Sequence, residues 1–394
     1  MLPMHFTIQR EAFLKPLRAV AGVVERRSQV VLPILSNVLM ELRENQIFLT
    51  TTDQEVELNA YGDVESSGIP SGKMTVPLRK LMEICRALPE GSTITFKQED
   101  QDKVSIRSGR SRFSLSSLPA EHFPSVSGNQ PGISLQVSNS ALKQLVDDIS
   151  FAMAEQDVRY YLNGMLLEMK GEGLYGVAAD GHRLALSVIK EVTSETKKPA
   201  FRLIVPRKGV LELQRILEAN NELITLTLSQ QHLSVTTPQI GFTSKLLEGK
   251  FPDYQRIIPA GGDKIVVGRR LLLKDAFLRA AALFNDKSRG VKLRLTSGCL
   301  NILAINADQD EVEEDLEVDY QGEDLEIGFN VKYLIDFLTV IPEDWIKLTF
   351  TNASNSARVE GMRDLNESDN GRNKKDSNNN HDGNQVYVIM PMRI

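Results

Sequence analysis

The sequence predicts an α+β protein built from three repeated domains, each with two helices and antiparallel sheets. Three observations predict it. An Asp-centred segment recurs about every 128 residues: Asp53 in LTTTDQEVEL, Asp180 in GVAADGHRLAL and Asp308 in LAINADQDEVEE. A second series reads TVPLRKLMEICRALPEGSTITF, LIVPRKGVLELQRILEANNELITLTL and GFNVKYLIDFLTVIPEDWIKLTF. Leu14-Lys15, Leu142-Lys143 and Leu273-Lys274 each fall early in an amphipathic helix. A fixed period marks units that stack edge to edge rather than one domain around one pocket. The 394 residues accordingly divide as 1–132, 133–263 and 264–394, each long enough for its own core.

In repeat one, HFTIQR predicts a strand, and Phe13, Leu14, Leu17, Val20, Ala21 and Val24 recur at helical spacing behind it. Strands are predicted over 36–42, 46–52 and 55–62, the first two joined by the turn Arg43-Glu44-Asn45. A second helix over 78–88 is stopped by Pro89-Glu90-Gly91, and strands follow at 93–98, 103–108 and 111–118. Repeat two predicts helices over 141–153 and 207–217; repeat three predicts them over 270–284 and 331–341, with a final strand at 386–390. Phe-Pro in EHFPSVSGNQPG and again in GKFPDYQRIIPAGG marks the two linkers. Residues 363–385, with seven asparagines, predict a disordered insertion in a hairpin of repeat three.

Composition narrows the function. Hydrophobic residues make up 41% and no apolar run reaches membrane-helix length. The opening MLPMHFTIQREAF lacks a signal-peptide core, so a cytoplasmic location is expected. Cys85 and Cys299 occupy apolar positions and predict buried, reduced thiols. The formal charge of −6 speaks against a uniformly basic nucleic-acid binder, yet basic residues concentrate on the predicted helices. Such a body repels DNA generally and attracts it along one surface.

Chemistry-bearing motifs have duller explanations. Gly171-Glu-Gly-Leu-Tyr-Gly176 spells a dinucleotide fingerprint but joins two strands, where it predicts a hairpin turn. The acidic run 308–319 lacks the glycine turn of a calcium loop and alternates with Val312, Leu316 and Val318 like a charged strand. Asp180, His182 and Arg183 suggest acid–base chemistry on an unknown substrate, without a paired nucleophile. No cofactor and no metal ion are expected.

Several longer motifs carry a resemblance. Leu32-Pro-Ile-Leu-Ser-Asn37, Arg107-Ser-Gly-Arg-Ser-Arg-Phe-Ser-Leu-Ser116, Gln156-Asp-Val-Arg-Tyr-Tyr-Leu-Asn-Gly164, Asp180-Gly-His-Arg183, Val205-Pro-Arg-Lys-Gly209, Phe251-Pro-Asp-Tyr254 and Met390-Pro-Met-Arg393 resemble the bacterial DNA polymerase III beta subunit family, the sliding clamps. The resemblance spans nearly the whole chain; only the stretch around 363–385 is longer than the family shows.

The resemblance implies a non-enzymatic processivity factor of the DNA-clamp fold. Two chains close head to tail into a ring that encircles duplex DNA and slides without base specificity. They tether the replicative polymerase alpha subunit, the clamp loader, other polymerases and repair proteins through short peptide motifs. It implies DNA contacts at Arg79, Gln156, Tyr160 and Tyr161, with Lys80 adjacent and either Arg26 or Arg27 from a loop of repeat one. The paired tyrosines also suit a core position. It implies a partner-peptide cleft built from Leu162, Gly181, His182, Arg183 and Leu184, then Pro252, Arg256 and Ile257, then Tyr333 and Ser356, and finally Met390, Pro391, Met392 and Arg393. Ala179 stands where the family commonly has threonine. Last, it implies a dimer interface in which Arg110, Arg112, Phe113 and Leu115, with Arg107 nearby, meet Leu283, Phe284, Asp310 and Glu311 of a second chain.

Overall fold

The structure, a computed structural model, describes residues 4–24, 32–65, 71–100, 102–126, 132–194, 200–284, 289–363 and 385–393. Repeat one runs β1 His5–Gln9, α1 Arg10–Val20, β2 Asn37–Arg43, β3 Gln46–Thr52, β4 Val56–Asp63, β5 Gly72–Pro77, α2 Leu78–Ala87, β6 Thr93–Asp100, β7 Lys103–Ser108 and β8 Ser111–Ser116. Repeat two follows with β9 Ile133–Ser138, α3 Asn139–Ile149, β10 Gly164–Lys170, β11 Gly173–Ala179, β12 Arg183–Ile189, a short β13 Thr193–Ser194, β14 Phe201–Pro206, α4 Arg207–Ile216, β15 Leu223–Leu228, β16 His232–Thr236 and β17 Ile240–Lys245. Repeat three is β18 Lys264–Arg269, α5 Arg270–Ala281, β19 Gly290–Thr296, β20 Cys299–Ile305, β21 Glu311–Glu317, β22 Leu325–Asn330, α6 Val331–Val340, β23 Trp345–Phe350, β24 Ala357–Met362 and β25 Gln385–Ile389.

The order differs from the sequence reading in one repeated respect. Each repeat has a further strand before its second helix: β5, β14 and β22. These strands end in Val-Pro or Phe-Asn and run straight into the helix, so their few residues read as part of the helix start. Two helices are shorter than predicted. A 3₁₀ turn over Ser150–Ala152 follows α3, and α5 stops at Ala281.

The two compact units of the fold do not coincide with the repeats. One comprises residues 1–143, 192–199 and 208–247; the other comprises 144–191, 200–207 and 248–394. The reason is sheet continuity. In the first unit a nine-stranded sheet runs β13-β9-β15-β16-β17-β4-β3-β2-β5, so β17 of repeat two pairs with β4 of repeat one. In the second an eight-stranded sheet runs β14-β10-β11-β12-β25-β24-β23-β18, so β25 of repeat three pairs with β12 of repeat two. Each unit also holds a four-stranded sheet, β1-β6-β7-β8 in the first and β21-β20-β19-β22 in the second.

Helix faces explain the packing. In α1, Phe13 and Leu17 are fully buried, and Phe13 meets Phe96 of β6 at 4.9 Å between ring centroids. A buried aromatic of this kind contributes about 2–3 kcal/mol through area alone. The first backbone N–H of each leading helix donates to the same place: Arg10 to Ser92, Asn139 to Glu222 and Arg270 to Asp344, each at 2.9 Å. These bonds set the register at Phe13, Leu142 and Leu273, the fourth residue of each helix and buried in all three. The sequence alignment on Leu14-Lys15 is therefore one residue late in repeat one.

Charge follows the helices as expected. By helix the net charges are +2, +2, −1, +2, +2 and 0, a total of +7 in a chain of −6. Cys85 is buried, and burial pushes its thiol up to about 12. Cys299 is only half-buried, a departure from expectation, because β20 lies beside the edge strand β21 and its sulfur sits 3.7 Å from Asp315 Oδ1.

Candidate functional site

The Asp-centred turns can be compared directly. Asp53 Oδ1 accepts from the backbone N–H groups of Glu55 and Val56 at 2.9 and 2.8 Å. Asp180 Oδ1 does the same for His182 and Arg183 at 2.9 and 3.0 Å. In repeat three the role passes to Asn306, whose Oδ1 accepts from Asp308 and Asp310 at 2.9 and 2.8 Å. Asp308 thus follows the sequence period without being the structural equivalent. The turn is one residue longer, with five residues between the last paired positions Ile305 and Glu311 against four between Thr52 and Glu57, and holds Gln309 at φ +67°.

The turn of repeat two builds a polar and aromatic cluster. Arg183, almost wholly buried, donates from Nε to Asp180 Oδ2 at 3.0 Å, from Nη1 to Asp336 Oδ2 at 2.6 Å and from Nη2 to the Phe151 carbonyl at 2.7 Å. Its guanidinium lies 4.3 Å from the Tyr333 ring centroid and 5.2 Å from that of Phe151. His182 is exposed and stacks on Tyr333 at 6.4 Å. Both oxygens of Asp180 are occupied by turn and guanidinium donors. This arrangement commits both carboxylate oxygens to fixing a turn, against the acid–base reading of Asp180 and His182.

The C-terminal tail joins the same place. Met390 donates its N–H to the His182 carbonyl at 2.8 Å, and Met392 donates to Gly328 at 2.9 Å. Both methionines are 40% exposed, so they are not packed into a terminal strand. Ser356 precedes Ala357, which pairs with Ile389, and so lies level with Met390. Leu162 and Leu184 are buried beneath, while Pro391 is half-buried and Arg393 exposed. Arg256 ends a 3₁₀ turn over Tyr254–Arg256, Ile257 follows it and Pro252 precedes it, where Arg202 donates to the Phe251 and Pro252 carbonyls at 3.0 and 2.9 Å. Arg256 pairs with Asp253, and its side chain is 87% exposed. Phe151 and Asp336 complete the cluster and were missed in sequence. Asp336 lies one helical turn beyond Tyr333 on α6.

The residues predicted to face DNA fall in both units. Arg79 and Lys80 are exposed on the first turn of α2, with no ion pair to either among the described residues. Tyr160 is 54% exposed, Tyr161 half-buried and Gln156 exposed with φ +57°, so the tyrosine pair is not core. Arg26 and Arg27 lie outside the described residues, as does 364–384 of the predicted insertion; β24 and β25 on its two sides pair with each other.

Two sheet edges remain. Among the described residues β8 pairs with β7 alone, and along it Arg112 is exposed while Phe113 and Leu115 are half-buried; Arg107 and Arg110 beside it are exposed. Among the described residues β21 likewise pairs with β20 alone, and it carries Glu311, Glu313, Asp315 and Glu317 on its exposed face. Leu283 and Phe284, half-buried beyond α5, are tied to this edge through Asn306, whose Nδ2 donates to the Leu283 carbonyl at 3.2 Å and to Asp310 Oδ2 at 2.9 Å.

Three copies of a strand–helix–four-strand–helix–three-strand unit, the middle one with the short β13 added, and with sheets continuous from one copy to the next, define the DNA-clamp class of protein. Sequence profiles of the DNA polymerase III beta subunit match in series: its N-terminal domain at residues 4–127, its central domain at 136–253 and its C-terminal domain at 255–369. The chain belongs to the DNA polymerase III beta subunit family, the beta sliding clamps. It is 48% identical to the beta sliding clamp of Pseudomonas aeruginosa over 392 residues, 99% of this chain and 100% of that one. It is 40% identical to the beta sliding clamp of Escherichia coli over 391 residues, with the same coverage of both. A crystal structure of a Pseudomonas aeruginosa sliding clamp bound to griselimycin superposes with a TM-score of 0.90 at 46% identity, covering 100% of both chains.

Proposed function

We propose that this protein is the processivity ring of a replicative polymerase: two chains close head to tail around duplex DNA, slide on it and hold partners by peptide segments. The observation that carries the reading is the pattern of strand pairing between repeats. The last strand of a repeat pairs with the third of its four central strands in the preceding repeat, as β17 with β4 and β25 with β12. The unfilled member of this series is β8 with β21. Supplied by a second chain, that pairing is heterologous, and a heterologous contact whose rotation closes gives a ring.

The register supports it. Phe242 stands opposite Leu58 and Tyr387 opposite Ala185, every one of them buried. Each aromatic is also opposite a valine on its other side, Val235 and Val359, as Phe113 is opposite Ile106. The same count along β21 makes Val312 the partner of Phe113, since Val312 faces Ala304 as Leu58 faces Thr51. Both are half-buried here, as side chains awaiting cover would be. Arg107, Arg110 and Arg112 then meet the carboxylates of the acidic edge.

Lys80 belongs to this interface rather than to DNA. The Arg79-Lys80 pair recurs 128 residues on as Arg207-Lys208, and Lys208 pairs with Asp53. The corresponding place in repeat three is the Asn306–Asp310 pair, which offers Lys80 a carboxylate. Arg79, Gln156, Tyr160 and Tyr161, with Arg26 or Arg27, are left for phosphate contacts, which bind without reading sequence. His182, Tyr333, Met390 and Met392 offer a partner peptide exposed apolar surface with adaptable methionines. A location in the cytoplasm, a polymerase alpha subunit, a clamp loader and repair proteins as clients, and three domains bounded near 132 and 263 complete the reading. Sedimentation tests it: Phe113→Asp with Leu115→Asp should give monomers, and dimers persisting at low micromolar concentration would contradict it.

A further inference from the structure

The loop bearing Gln156, Tyr160 and Tyr161 also bears Arg159, which belongs to neither proposed set. Asp157 holds it by both carboxylate oxygens, accepting from Nε at 3.0 Å and Nη2 at 2.8 Å, and the guanidinium in turn holds the Asp157 carboxyl down at about 2. The loop is braced across its base. Asn163 Oδ1 accepts from Asp157 N at 2.9 Å and Asn163 Nδ2 donates to the Asp157 carbonyl at 2.8 Å. The guanidinium is therefore aimed, and it is aimed at the cleft. Its Nη2 donates to the Asp180 carbonyl at 3.4 Å. It also covers Gly181, where a Cβ would lie 2.5 Å from Nη2 and 3.0 Å from Nη1. Gly181 has φ +90°, so backbone conformation and close approach both require glycine.

We propose that Arg159 serves both sites, exchanging the Asp180 carbonyl for a DNA phosphate when DNA is enclosed and thereby uncovering Gly181 for a partner peptide. The inference rests on reading the loop as DNA-facing and the cleft as peptide-binding. Three features favour the exchange. The Arg159 side chain is 46% exposed, so packing does not lock it. Its present bond to the turn is long and made to a neutral acceptor, whereas a phosphate offers the planar fork a charged one. The turn it leaves stays braced by Asp180, Arg183 and the Met390 N–H, so the cleft opens without unfolding.

Coupling of this kind is reciprocal: DNA must tighten peptide binding by the factor by which peptide tightens DNA binding. One long, exposed bond places it at the low end of the usual range, about fivefold. The test is fluorescence anisotropy with a labelled peptide selected for binding to the wild-type protein, titrated with the full chain free and loaded on nicked circular duplex. Wild type should bind about fivefold tighter when loaded. Arg159→Ala should bind with the tighter affinity in both states and melt at the wild-type temperature. Equal wild-type affinities in the two states, with peptide and DNA each bound, would overturn the inference while leaving the ring and cleft intact; so would coupling that survives in Arg159→Ala. Absence of peptide binding in either state would overturn the cleft reading and this inference with it.

Discussion

Arg183 of β12 and Asp336 of α6 are joined by a 2.6 Å hydrogen bond, which links the turn of repeat two to the second helix of repeat three. The same guanidinium also holds Asp180 and the Phe151 carbonyl, so one side chain braces three elements at the cleft.

Arg183→Ala should therefore cost more than an ordinary surface change. Charged hydrogen bonds contribute about 1.5–3 kcal/mol each, and the loss leaves Asp180 and Asp336 without their shared cation. We expect a loss of about 2–4 kcal/mol in urea unfolding of the second unit, together with loss of peptide binding. Deleting residues 390–394 should abolish peptide binding as well but leave stability and dimerisation near wild type, since among the described residues the hydrogen bonds removed are the backbone ones from Met390 and Met392. Calorimetric titration with peptide separates the two cases.

A buried acid gives the second unit a pH dependence. Asp148 is pushed up to about 6, first by burial, while Ser187 Oγ at 2.7 Å, Gln144 Nε2 at 2.6 Å and the Gln385 side chain oppose the rise. Ser187 and Gln385 face each other across β12 and β25, so the carboxyl sits at the strand junction between repeats. With the folded value above the unfolded one of 3.8, the folded state holds the proton more tightly. The associated stability is full below about pH 4 and is lost as pH rises through about 6, on the order of 2–3 kcal/mol. Asp148→Asn should flatten the difference in urea midpoint between pH 5 and pH 8 and raise stability at pH 8. A wild-type pH profile in the variant would rule out Asp148 as the titrating group.

Strand register between chains can be read by cross-linking. In a Cys299→Ser background, Phe113→Cys with Val312→Cys should form covalent dimers under mild oxidation, because directly opposed residues on neighbouring strands bring their Cβ atoms within about 4.5–5.5 Å. Phe113→Cys with Leu316→Cys, four residues along β21, should not.

Arg79 and Lys80 are sequence neighbours with different expected roles. Lys80→Glu should raise the dimer dissociation constant several-fold with little effect on DNA contacts made by a loaded ring. Arg79→Ala should leave the dimer intact and lower the salt dependence of DNA binding by about one unit of log–log slope. Sedimentation and binding at two salt concentrations distinguish them.

Much of this architecture was legible because triplication writes every element three times. Helix faces such as Phe13, Leu17 and Val20 keep their period, and the hairpins 37–52 and 164–179 carry strand alternation and turn residues. β5, β14 and β22 were hidden because a strand that enters a helix without a break has no turn signal to end it. The Asp308 equivalence misled for another reason: an Asn can cap a turn as well as an Asp, so Asn306 took the role while the sequence match drifted two residues on. The cleft's motif residues could be found by resemblance, but Phe151 and Asp336 could not. Their part depends on where Arg183 reaches across the fold, and no local pattern records a contact 153 residues away.

Retention on DNA of different topology tests encirclement most directly. Loaded on nicked circular duplex, the protein should remain bound through gel filtration at moderate salt and leave within the dead time once one restriction cut linearises the circle. Equal retention on circular and linear DNA would contradict the account, because it would mean that the chain holds its duplex by surface contact instead of by enclosing it.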